Sequence, residues 1–268
     1  MINQKNFTVS DIGSLDITFY LSDSLGQFNP RVFPPHSHDV FEIYFLISGN
    51  VSFMVENNVY KLNNGDVIIS RPNEVHNCIL NEKSVHKHAC LWINTSTDFL
   101  FSKLTNKNVT HLSTTNEERE KLIKLFNDLN QEKDDFSIFA TTINILKLLY
   151  SANQGDSSSC CVPNVLKQIL LYINEKFKTI QNVKEVLDKF YISKTSLIRL
   201  FKKHLHTTPK LYLETKKLAY SRILLKHGES VLDACFLSGF SDYSNYIRLF
   251  RKRFNITPGK YRTKDVTF

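Results

Sequence analysis

A 17-residue segment occurs twice near the end of this chain, and the repeat constrains what the C-terminal half can be. Ser196 to Tyr212 (SLIRLFKKHLHTTPKLY) and Asn245 to Tyr261 (NYIRLFRKRFNITPGKY) are offset by 49 residues and agree at 8 of 17 positions, among them Arg199/Arg248, Phe201/Phe250, Lys203/Lys252 and Pro209/Pro258. Two copies cannot make a solenoid, which needs three or more repeats to close its core. Two copies of a short basic helix fit a pair of reading heads for nucleic acid.

Charge is distributed to match. Residues 1–162 carry 13 Lys/Arg against 18 Asp/Glu, net −5, whereas residues 163–268 carry 21 against 8, net +13. The basic half is the candidate polyanion binder. At 268 residues the chain is long enough for two domains, each with its own core. The opening MINQKNFTVSD has no apolar core of signal-peptide length. No stretch approaches the roughly 18 apolar residues of a membrane span, so a cytoplasmic protein without membrane contact is expected. The five cysteines include no C-x-x-C pair, which suggests neither a disulfide framework nor a zinc finger.

From about Phe7 to Ile93, short β-rich runs (FEIYFLI, VSFMV, DVIIS, ACLWI) alternate with Asn/Gly turns, the pattern of an antiparallel sandwich or barrel. The period then changes. Thr115 to Gln131 spaces Leu122, Leu125, Phe126 and Leu129 as one helix face, with Asn116 as the expected cap. Phe136 to Tyr150 reads as a second helix, apolar around most of its girth and so buried on the barrel or against a second subunit. The polar, Ser-rich run at 153–162 is expected to link a sensing and dimerising domain (1–152) to a helical one (163–268). The fold class is therefore α+β in two domains, the second all-α.

Within the helical half, Val183 to Phe190 supports a second helix capped by Ser193, and Val231 to Ser238 supports another capped by Asp242, each pair a helix-turn-helix. With Leu197, Leu200, Phe201 and Leu205 inward, Thr195, Ile198 and Arg199 are left to meet base edges. In the second unit Tyr243, Ser244, Asn245 and Arg248 take that place. Arg has the fork that matches guanine O6 and N7, so Arg199 and Arg248 are the principal expected base readers. Lys194, Lys202, Lys203, Arg251, Lys252 and Arg253 are assigned to phosphates, fixing register without reading sequence. A connecting helix begins at Pro209 and runs to about His227; some 19 residues at 1.5 Å each give roughly 28 Å, close to one turn of DNA at about 34 Å.

These residues resemble the AraC/XylS family of bacterial transcription regulators. Gly239 to Arg262 (GFSDYSNYIRLFRKRFNITPGKYR) is similar to the family signature almost throughout, and the pattern reaches back to about Val183. Leu187 and Cys235 stand where the family usually has Ala, and His206 and Asn255 where it usually has Gly. Because His tolerates positive φ less well than Asn, an irregular end is expected for the first reading helix. The resemblance implies a homodimeric regulator, an activator, that binds tandem promoter half-sites, answers to a small-molecule effector and works with RNA polymerase.

In the N-terminal half, His36-Ser-His38-Asp-Val-Phe-Glu42, then Gly49, Gly65-Asp66, Pro72 and His76, resembles the two motifs of the cupin barrel. Glu74 and Val75 replace that family's Gly-containing spacing. In metal-dependent cupins the positions of His36, His38, Glu42 and His76 bind a divalent ion, which their chemistry suits. Sensor domains of AraC-type regulators resemble cupins without usually holding metal, so no metal and no cofactor is expected. The four side chains are assigned instead to an effector pocket with Arg31, Tyr44, Arg71 and Trp92, a lining suited to a sugar or other small polar metabolite. A metal-dependent cupin enzyme tethered to DNA and a DNA binder without effector are the rival readings; the chain is expected not to be an enzyme.

Overall fold

The computed structural model describes residues 3–9, 15–24, 34–81, 86–95, 110–132, 134–154 and 162–263. Among the described residues of the N-terminal half, ten strands form two antiparallel sheets: β1 (Asn3–Val9), β2 (Leu15–Ser24), β3 (Phe41–Ser48), β4 (Val51–Val55), β5 (Asn58–Leu62), β6 (Val67–Ser70), β7 (His76–Leu80), β8 (His86–Thr95), β9 (His111–Ser113) and β10 (Asn153–Gln154). The larger sheet runs β1-β2-β8-β3-β6-β9-β10 and the smaller β5-β4-β7.

Alternation along β3 decides the layers. Ile43 and Phe45 face helices α1 (Asn116–Gln131) and α2 (Asp135–Ser151), meeting Leu122, Phe126, Ile138 and Ile145 in one core. Tyr44 and Leu46, on the other face, meet Phe53, Val55 and Leu62 of the smaller sheet in a second core. Glu42 shares that inner face. The cap of α1 is Thr115 rather than Asn116. Its hydroxyl accepts from the Glu118 amide while the Glu118 carboxylate accepts from the Thr115 amide, so both orphan donors are satisfied. Helix α2 does bury on the sheet, although Phe136 and Tyr150 at its two ends stay exposed. Asn153 and Gln154, at the start of the segment read as a linker, pair instead with Ser113 and Leu112 of the larger sheet.

The C-terminal half is helical: α3 (Asn164–Lys176), α4 (Val183–Phe190), α5 (Lys194–Leu205), α6 (Pro209–Lys226), α7 (Val231–Leu237), α8 (Tyr243–Phe254) and α9 (Pro258–Thr263). The outer face of the smaller sheet docks on it. Met54, Val59, Val75 and Ile79 share a core with Leu166, Ile169, Leu197, Phe201, Leu205 and Tyr212. Helices, large sheet, small sheet and helical reader are thus stacked in sequence. Among the described residues no helix is long and apolar enough to cross a membrane.

Candidate nucleic-acid interface and sensor site

The two reading helices are superimposable in sequence number: 194–205 and 243–254 are each twelve residues long and offset by the 49 of the repeat. Their caps repeat as well. Ser193 accepts from the Ser196 amide, and 49 residues later Asp242 accepts from the Asn245 amide. Both helices bury an apolar stripe, Leu197, Phe201 and Leu205 in one and Tyr246 and Phe250 in the other. Leu200, expected inward, is only partly buried. The C-terminal residues His206 and Asn255 both take the left-handed conformation, at φ 51° and 57°. Their hydrogen bonds differ: the His206 amide reaches back to the Phe201 carbonyl, whereas that of Asn255 keeps the shorter helical span to Arg251.

Thr195, Arg199, Tyr243, Ser244 and Arg248 are exposed, and Ile198 and Asn245 are half-buried. Arg199 has no partner among the described residues, while Arg248 donates to the Asn245 side chain at 2.6 Å. A cleft of about 830 Å3 between the units brings Lys194 and Ile198 together with Asn245. Lys194, Lys202, Lys203, Arg251 and Lys252 are exposed. Arg253 differs. It is partly buried and donates to the Pro35 carbonyl of the N-terminal half, so in this conformation it is not free for a phosphate.

Several basic side chains read as polyanion contacts by charge alone have internal partners. Lys217 is buried on α6, and its ammonium donates to the carbonyls of Ile180 at 2.7 Å and Gly239 at 2.5 Å. Burial lowers its pKa against the opposing pull of Glu185 and Glu214. Lys216 pairs with Glu56, Lys226 with Asp39 at 2.8 Å, and Arg222 donates to Ser37 and Asn73. Asn77 adds a contact from the strand side, donating to the Leu205 carbonyl at the end of α5. Sequence reasoning missed these residues. One signal was present: α6 has no clean apolar stripe, as befits a helix contacted from several sides.

In the N-terminal half the structure brings His36, His38, Glu42 and His76 together, with one ligand-capable atom of each within 4.8 Å of the others. Glu42 Oε2 is the focus: it lies 2.8 Å from His38 Nε2, accepts from Trp92 Nε1 at 2.7 Å and stands 3.4 Å from His76 Nε2. Although burial opposes its charge, the neighbouring His76 and His38 hold the Glu42 carboxyl well below its usual range. Burial, helped by His76, lowers His36 to about 3. Glu42 outweighs burial at His76 and raises it. Tyr44 sits one layer deeper, its hydroxyl 2.6 Å from His86 Nε2, and burial pushes it well above its normal pKa.

One expected pocket residue is tied to other groups. The Arg71 guanidinium is held by Glu74, three residues on, and by Thr110. Arg31 lies outside the described residues, as does most of the segment read as a linker.

The family model for a helix-turn-helix domain matches residues 186–264, and that for an AraC-like ligand binding domain matches residues 25–102, together more than half of the chain. The chain is similar to the HTH-type transcriptional activator RhaS of Escherichia coli strain K12, with 24% identity over 244 residues that cover 86% of this chain and 87% of that one. Among solved structures it is similar to wild-type ToxT of Vibrio cholerae strain SCE256, at 15% identity, 97% coverage of both chains and a TM-score of 0.37.

Proposed function

The chain belongs to the AraC family, as a DNA-binding transcription regulator with a ligand-binding domain, and from that premise we infer that it is an activator reading two half-sites under control of a small polar effector. One observation carries the reading of DNA: two equal helices, identically spaced caps and the same exposed Arg on each. In this reading Thr195, Ile198 and Arg199 meet bases at one half-site, and Tyr243, Ser244, Asn245 and Arg248 at the other. Lys194, Lys202, Lys203, Arg251 and Lys252 hold phosphates, joined by Arg253 once it leaves Pro35.

The effector, a sugar or similar metabolite, binds at the polar end of the N-terminal sheets beside His36, His38, Glu42, His76 and Trp92. Similarity to an activator supports the sign of regulation and, with it, contact with RNA polymerase. Exposed Phe136 and Tyr150 on α2 support a homodimer through that helix. The sensing and dimerising part is 1–152 and the reader 163–268.

The test compares two variants on fragments from the promoters beside its own gene. Arg248→Ala should relax base preference at one position at a cost of about 1–3 kcal/mol. Lys252→Ala should weaken all sequences alike and reduce the salt slope by about one. If the two variants behave identically, the division into base readers and phosphate holders is wrong. If the intact protein prefers no promoter fragment over random duplex, the regulator reading fails.

A further inference from the structure

The cleft between the two helix-turn-helix units pairs apolar walls with a cationic floor. It holds about 830 Å3, within the range of small-molecule sites. Leu187 of α4, Leu197 of α5, Leu213 of α6 and Phe240 from the turn before α8 supply the walls. Lys217 also lines the cleft and is only 4% exposed, which puts its ammonium at the floor. Two of its three N–H groups go to the Ile180 and Gly239 carbonyls, and one is left without a partner among the described residues. Carbonyls are dipoles rather than full charges, so burial still lowers the lysine's pKa. A buried cation in this state gains from an anion placed against it.

The field at the rim has the same sign. Helices α4, α5, α6 and α8 all open onto this space by their N-terminal ends, through Lys184, Lys194, Lys210 and the cap Asp242. First-turn amides carry the positive end of a helix dipole, where acidic side chains are favoured. The first turns of α5, α6 and α8 have none. Exposed Lys194 and Lys210 stand at two of these ends instead, against the dipole. Two carboxylates limit what the cleft accepts. Asp242 accepts from the Asn245 amide, and Glu214 lies 3.9 Å from the Lys210 ammonium, yet both line the cleft and repel a multiply charged anion.

We propose that this cleft binds a small amphipathic monocarboxylate, with its carboxylate accepting from Lys217 and its apolar body against Leu187, Leu213 and Phe240, and that the bound acid competes with DNA. A neutral apolar molecule would fill the walls and leave the ammonium as it is. A nucleotide or inorganic phosphate would bring more than one charge beside Glu214 and Asp242. One charge on an apolar body suits floor and walls together. The site is separate from the sensor and goes beyond the effector assigned there; it rests on the regulator reading only for its effect on DNA.

Competition follows from who shares the lining. Lys194, Ile198 and Asn245 border the same cleft, and they are the side chains assigned to phosphate and bases on the two reading helices. A ligand seated among them covers contacts of both units at once. The coupling is reciprocal: DNA must weaken the acid by the factor by which the acid weakens DNA. Every lining residue lies between Gln181 and Asn245, so this control acts on the reader without passing through the sensor.

The experiment uses the full-length protein, with 3-phenylpropionate and octanoate as probes and their amides as neutral controls. Ionic strength is held constant because DNA binding depends on salt. Equilibrium dialysis should show one saturable site per chain with a Kd of about 1 mM or tighter for at least one acid. The matching amide should bind about tenfold more weakly or worse. Leu187→Trp fills the cleft from its wall and should weaken the acid about tenfold or more, whereas Lys217→Met should bind acid and amide alike. At ten times its Kd the acid should lower the parent's affinity for a fragment with both half-sites about tenfold. Circular dichroism shows whether each variant is folded; the comparison of acid with amide on the parent keeps the test decisive if one is not. No saturable binding of either acid, equal binding of acid and amide by the parent, or acid binding by folded Leu187→Trp equal to the parent's overturns the site. Unchanged promoter affinity with the acid bound overturns the competition. Promoter binding without any probe is measured in parallel, so failure of the regulator reading is a separate outcome.

Discussion

The two helix-turn-helix units share their outward faces and differ in what lies behind them. In the first, the end of α5 is built into the sensor: Leu205 and Phe201 lie in one core with Met54, Val75 and Ile79, and Asn77 takes the last carbonyl. The second packs its own core from Ala234, Phe240, Tyr246 and Phe250 with Leu218 and Leu225 of α6, and it reaches the sensor through Arg253. Their turns differ too. The first passes through Tyr191 at φ 49°, the second through Gly239 at φ 91°. A duplicated reader can thus keep one DNA-facing surface while its hidden surfaces specialise, one unit for attachment to the sensor and the other for attachment to the first.

The glycine turn makes the second attachment, and its loss should have the largest effect. A Cβ on Gly239 would stand 2.4 Å from the Lys178 carbonyl oxygen, on backbone that cannot yield, at a φ unfavourable to any other residue. Gly239→Ala is expected to cost about 3 kcal/mol or more, read as a lower urea midpoint. An unchanged midpoint would show that the units do not meet here.

Lys217→Met comes next. It strips the ammonium from the Ile180 and Gly239 carbonyls, one in the loop before the first unit and one in the turn of the second. A loss of about 1–3 kcal/mol is expected, offset in part because the lysine no longer has to be desolvated. Affinity should fall more on a fragment with both half-sites than on one half-site alone. Equal losses would mean that Lys217 supports the fold without setting the relation of the two units.

The residues behind this comparison differ in how far the sequence reveals them. Reading helices, caps and connector are local features: Ser193, Asp242 and Thr208-Pro209 announce helix starts, and apolar spacing does the rest. The metal-suited cluster is also legible, because His38 and Glu42 lie four residues apart at the start of a strand run and His76 follows a turn. The contacts between halves are not. Arg222 meets Ser37 across 185 residues and Asn77 meets Leu205 across 128, pairings that no local periodicity encodes. Strands β5 and β7 carry weak local signals for a related reason, since Asn58 resembles a turn residue and His76 a motif residue, yet each begins a strand completed by pairing with β4. Net charge misled in the same way: Lys216, Arg222, Lys226 and Arg253 count toward a basic surface while facing the acidic half.

The smallest expected effect lies at the other turn. Tyr191 holds a left-handed backbone that costs a side-chain-bearing residue roughly 1–2 kcal/mol, yet its ring is 97% exposed and contributes no burial in return. Glycine removes the steric cost but brings back about 0.5–1 kcal/mol of unfolded-chain entropy. Tyr191→Gly should therefore stabilise by at most about 1.5 kcal/mol, a rise in Tm of no more than roughly 3–6 °C for a chain this long. Promoter affinity should not change, because the ring is assigned to neither bases nor phosphates. If Tm rises and affinity holds, the first turn is merely a less favourable version of the second. If affinity falls instead, the exposed ring touches DNA, and the two units differ on their outward faces as well as behind them.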